Sequence, residues 1–146
     1  MRTGMPDDAV VKPAVWGTVA FTATSIAAVA SDGVVAGGAA VFALVLFGLG
    51  TLAFVRTLLV AAQRSRTEEL SVAGIWFLSG SAPAPIRTWL LGCLAVQVVV
   101  ALVAASLRPY SVVAFGVLVP MYGLGLCGLW GARSGTFPPR APGRTD

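Results

Sequence analysis

Few side chains in the apolar parts of this chain could do chemistry. Cys93, Cys127, Gln97, Tyr122 and the hydroxyls of Thr18, Thr22 and Ser25 are the main ones. The cysteines stand in separate apolar stretches and form no C-x-x-C, so dithiol exchange lacks its motif. Both are expected to be chemically inert. Histidine is absent, which removes the commonest metal ligand and the commonest general base. Proton-coupled pumps usually hold a carboxylate at membrane depth. Here Asp32 is in a turn, and Glu68 and Glu69 are in a charged segment. Neither G-x-S-x-G nor G-x-x-x-x-G-K-[ST] occurs. No catalytic, cofactor-binding or metal-ligating residue is therefore expected, and the chain reads as a protein that is not an enzyme.

The elements that must position these groups follow from composition. Hydrophobic residues make up 57% of the chain and charged ones only 11%, against about a quarter charged in soluble domains. The charges cluster and leave apolar stretches at 14–30, 34–55, 89–107 and 112–132. A helix needs about 20 apolar residues to cross a bilayer core. The expected fold is all-α and polytopic: four transmembrane helices in two antiparallel hairpins, with a cytoplasmic loop at 56–88 between them. Residues 1–13 are expected to form a disordered arm, and 133–146 a basic, proline-rich cytoplasmic tail. In the first hairpin, Asp32 is expected as a cap and Gly33 as the turn residue. Ala28-Val29-Ala30 has the look of a signal-peptidase site. A hairpin this tight offers the peptidase little extended chain, so the first span is expected to be retained.

Basic residues set the orientation. With both termini inside, nine of the ten are cytoplasmic and only Arg108 is outside. The expected location is the cell membrane, multi-pass, with both termini cytoplasmic and lipid as the surrounding partner. Interface anchors are expected at Trp16, Trp89 and Trp130 at the inner ends of spans, Trp76 in the loop and Tyr110 at the outer edge. Arg56, after 22 apolar residues, is expected to snorkel to the inner headgroups.

Along the chain, Thr18, Thr22 and Ser25 share one helical face. Their hydroxyls are expected to bond back to their own helix or to a neighbour. Arg64 and Glu68 form an i, i+4 pair where the second helix is expected to continue past the membrane. Leu70 to Leu78 is apolar but too short to span, and reads as an interfacial stretch held to the membrane by Trp76, Phe77 and Leu78. The prolines at 83 and 85 are expected to break any helix there. The tail's Pro139-Arg140-Ala141-Pro142-Gly143-Arg144 reads as a plain basic tail drawn to anionic lipid. Nothing interleaves aromatic with basic residues as nucleic-acid surfaces do.

A packing seam is expected between the last two spans. Cys93, Gln97, Ala101 and Ala104 fall on one face of the third. Gly116, Pro120, Gly123, Cys127 and Gly131 fall on one face of the fourth. Antiparallel matching sets Cys93 level with Cys127, Gln97 with Gly123, and Ala104 with Gly116. Gln97 is expected to donate to a backbone carbonyl that Pro120 and Gly123 leave open.

Gly128-Leu129-Trp130-Gly131-Ala132-Arg133 with Gly135-Thr136-Phe137-Pro138-Pro139-Arg140 resembles the C-terminus of small four-helix integral membrane proteins of high-GC Gram-positive bacteria. Leu78-Ser79-Gly80-Ser81-Ala82-Pro83 is similar to their middle loop. The resemblance implies a bacterial cytoplasmic membrane and no particular activity. The expected role is a non-catalytic subunit or assembly partner of a membrane complex, with another membrane protein or a second copy as partner. The alternative is a small oligomeric transporter, channel or lipid flippase.

Overall fold

The computed structural model describes residues 8–140, and these form helices and connecting turns with no strand. The elements are α1 (Val11–Ala30), α2 (Val34–Arg64), α3 (Val72–Trp76), α4 (Ala84–Leu107), a 3₁₀ segment (Val112–Leu118) and α5 (Pro120–Ser134). Four helical stretches are long and apolar enough to cross a membrane: Val11–Ala30, Val34–Arg64, Ala84–Leu107 and Val112–Ser134.

Boundaries differ from the composition-based ones where backbone chemistry overrides hydropathy. α1 starts at Val11, not Ala14, because the Asp8 carboxylate accepts from the Val10 N–H at 2.8 Å and orders the entry. Residues 1–7 of the expected arm lie outside the described residues, as do 141–146 of the tail. α4 starts at Ala84, not Trp89. Pro83 and Pro85 initiate this helix rather than breaking a preceding one, since proline fits a first turn whose N–H groups lack intrahelical partners. The fourth span is not one α-helix. It runs as 3₁₀ to Leu118 and becomes α-helical at Pro120.

Packing pairs non-consecutive helices most extensively: α2 with α5, and α1 with α4. Thr18 meets Gln97, and Val29 meets Arg108, so α1 and α4 run in the same direction. α2 and α5 do likewise, with Gly50 against Tyr122 and Gly125, and Arg64 against Ala132. α5 is the central helix, burying Tyr122, Leu126, Cys127 and Trp130. The other three turn large apolar side chains outward, such as Trp16, Val41, Leu52 and Leu102.

Backbone contact between α2 and α5 depends on two glycines. A Cβ on Gly125 would stand 2.3 Å from the Gly50 carbonyl oxygen, and one on Gly50 would stand 2.5 Å from the backbone of Tyr122. No other residue type permits that approach. The turn between α1 and α2 uses Gly33 at φ +67°, as its residue type suggests.

Each same-direction pair is fastened at its C-terminal end by an arginine. Arg64, the last residue of α2, donates to the Ala132 carbonyl at 2.8 Å and to the Gly135 carbonyl at 2.9 Å. It pairs with Glu68 at 2.5 Å and lies over the Phe137 ring at 5.4 Å. Arg108, just past α4, donates to the carbonyls of Val29 at 3.1 Å and Ser31 at 3.2 Å, and to Asp32 at 2.5 Å. Asp32 thus pairs with Arg108 instead of capping α2. The last carbonyls of a helix lack partners and carry partial negative charge, so a guanidinium there satisfies both needs.

Candidate functional site

The polar side chains that the sequence places at depth converge on one node. Gln97 is fully buried in α4. Its Nε2 donates to Thr18 Oγ1 of α1 at 2.7 Å, and its Oε1 accepts from the Gly123 N–H of α5 at 3.1 Å. An amide N–H can only donate, so Gly123 fixes which end of the Gln97 amide faces it. Thr18 in turn donates to its own helix, at the Ala14 carbonyl, at 2.7 Å. The direction is the reverse of the expected one: Gln97 accepts a hydrogen bond from α5 rather than donating one. The 3₁₀-to-α transition at Pro120 explains this. Gly123 is the fourth residue of α5, and the Val119 carbonyl it would ordinarily bond accepts from the Tyr122 N–H at 2.8 Å instead. The sequence signal was the spacing from Pro120 to Gly123, read for a free carbonyl when the free group is the donor.

Two further bonds tie α5 to the start of α1. The Tyr122 hydroxyl donates to the Pro13 carbonyl at 2.8 Å, over Gly17. The Trp130 indole donates to the Asp8 carboxylate at 2.9 Å. Thr18 and Thr22 bond back to carbonyls of α1, as expected, and Thr24 does the same. Among the described residues no buried side-chain polar atom lacks a partner, and no three histidine, cysteine or acidic groups gather as a metal site would need.

The seam residues divide among several neighbours. Cys93, Gln97, Ala101 and Ala104 are all buried on one face of α4, and Gly116, Gly123, Cys127 and Gly131 are buried in the fourth span. Gly123 lies against Gln97 and Leu94, as the seam requires. Gly116 instead faces Phe21 of α1, and Gly131 faces the Ile75 backbone of α3. Pro120 is half-buried at the helix start. Cys93 and Cys127 are free thiols within one buried cluster.

The anchors divide as well. Trp16 is 68% exposed, and Tyr110 is fully exposed. Trp89 is half-buried against the core. Trp130 is buried and bonded to Asp8, so it is a packing residue rather than a surface anchor. Trp76 stacks on Phe54 at 4.5 Å and lies against Gly128. Leu78 is fully buried, and only Phe77 of that trio faces outward. The middle segment is therefore held by protein. α3 sits on α5, Ser81 donates to the Gly74 carbonyl, and the Thr136 N–H donates to the Ser81 carbonyl at 3.0 Å. The tail joins it through Glu69 N–H to Pro138 at 2.9 Å and Arg140 N–H to Thr67 at 2.9 Å.

A long apolar groove lies between α1 and α4. Its half nearer the α4 start has a volume of about 680 Å³ and is walled by Val15, Val19, Ile26, Trp89 and Val96. The other half, about 460 Å³, continues past Val29 and Val103. Thr22 and Ile26 border both. No family model, curated protein or solved structure matches this chain.

Proposed function

We propose that this is a multi-pass protein of a bacterial cytoplasmic membrane, crossing four times as two antiparallel hairpins, with both termini cytoplasmic. In it the chain serves as a non-catalytic subunit or assembly partner of a membrane complex. The observation that carries this reading is the use made of the polar groups at depth. Gln97, Thr18 and Tyr122 bond to helices and so build a fixed framework. The outward faces of α1, α2 and α4 are apolar, as contact with lipid or another membrane helix requires. Among the described residues, the basic Arg64, Arg66, Arg87, Arg133 and Arg140 gather at one end and Arg108 stands alone at the other, which favours the first end inside. The bacterial setting rests on the resemblance of 128–140 and 78–83.

The groove favours a second reading, a small oligomeric transporter, channel or lipid flippase, since an acyl chain could travel along it. Purification of the tagged full chain from its native membrane in mild detergent separates the two. A second membrane protein at fixed stoichiometry, retained through detergent exchange, is expected. A pure homo-oligomer would overturn the subunit reading in favour of the second.

A further inference from the structure

We propose that the inner half of the α1/α4 groove is a binding site for one anionic phospholipid, with one of its acyl chains in the groove and its phosphate at Arg87. The proposal rests on the membrane reading above. Three observations point to an amphiphile. First, the groove wall is apolar, and at Gly92 a Cβ would meet nothing within 4 Å, so the cleft is open where a chain would lie. Second, the half beside Arg87 is long enough for a chain anchored there to lie within the near leaflet, and the other half continues toward Leu107. Thr88 and Val96 mark the two ends of the half beside Arg87 on α4, about 12 Å apart at 1.5 Å per residue, near half of an about 30 Å core. Third, Thr88 at the end of the groove also borders a more polar cleft of about 420 Å³, lined by Arg87, Gly80 and Ala82. Arg87 is exposed and its guanidinium has no partner among the described residues, whereas Arg64 and Arg108 are bound to carboxylates and carbonyls. A free guanidinium one residue from the end of an apolar groove matches a phosphate carrying a chain, because it binds phosphate oxygens through a planar fork.

Native mass spectrometry of the full chain in detergent, titrated with dioleoyl phosphatidylglycerol or dioleoyl phosphatidylcholine, tests this. One phosphatidylglycerol should bind with about fivefold preference, the effect of one cation near a lipid surface. Arg87→Ala should equalise the two lipids, while Arg66→Ala should keep the preference. Gly92→Leu should weaken both lipids without lowering the thermal midpoint. Equal binding of the two lipids by the unaltered chain would overturn the proposal. So would a preference that survives Arg87→Ala. A dimer that Gly92→Leu abolishes would give the groove to a second copy instead. Because binding is read in detergent, failure here leaves the topology and subunit readings to their own tests.

Discussion

Gln97 is the residue on which three helices agree. Its amide accepts from α5, donates to α1 and is fully buried. A hydrogen bond between membrane helices contributes about 0.6 kcal/mol on average, because partners are also found in the unassembled state. Removing Gln97 costs more than that, since the Gly123 N–H is left buried without an acceptor, at about 1–3 kcal/mol. Gln97→Leu should therefore lower the thermal midpoint in detergent clearly, and Thr18→Val should lower it less. Thr18→Val removes an acceptor from the amide but keeps the Gly123 bond. The double variant should fall short of the sum, as coupled neighbours do. Equal effects that add fully would mean the node does not act as a unit. The residue types made Gln97 stand out in the sequence. The direction of its bonds did not, because that depends on where the α-helix begins, and hydropathy is blind to a 3₁₀ turn.

At the scale of elements, glycine count says little and glycine placement says much. Gly48 and Gly50 are two residues apart on α2. A Cβ on Gly48 would meet nothing within 4 Å, whereas one on Gly50 would strike the backbone of Tyr122. Gly50→Ala should destabilise by about 1–3 kcal/mol, the usual cost of overpacking. Gly48→Ala should be neutral or should stabilise by up to about 1 kcal/mol through helix propensity. Thermal unfolding of the two variants in one detergent reads the difference, and similar midpoints would refute the close α2/α5 contact. The existence and approximate positions of the four apolar helices were legible, because 17 to 22 residue runs without charge have few other uses. The helix ends were not, since Pro83, Pro85 and Asp8 act through backbone hydrogen bonding. The middle segment misled for a related reason. Trp76 and Leu78 are apolar in any context, and only the tertiary structure shows that Phe54, Gly128 and α5 receive them rather than lipid. The α2/α5 contact was equally hidden, because sequence adjacency suggests pairing α5 with α4.

Over the whole molecule, the charges and the fold share one axis. Arg64 fastens the α2/α5 pair at one end, and Arg108 fastens the α1/α4 pair at the other. At the Arg64 end the middle segment and residues 135–140 fold together over the end of α5. In the proposed membrane orientation this folded cap and most of the guanidinium groups face the cytoplasm, and the Arg108–Asp32 pair faces outward. Cysteine accessibility tests that claim most directly. In a background carrying Cys93→Ala and Cys127→Ala, Tyr110→Cys, Arg66→Cys and Ser134→Cys are introduced one at a time and treated with an impermeant maleimide. All three positions are exposed in the fold, so each label reads sidedness and not burial. In intact cells Tyr110→Cys should be labelled, with Arg66→Cys and Ser134→Cys reacting only after lysis. Labelling of Arg66→Cys or Ser134→Cys from outside, with Tyr110→Cys protected until lysis, would contradict the proposed orientation.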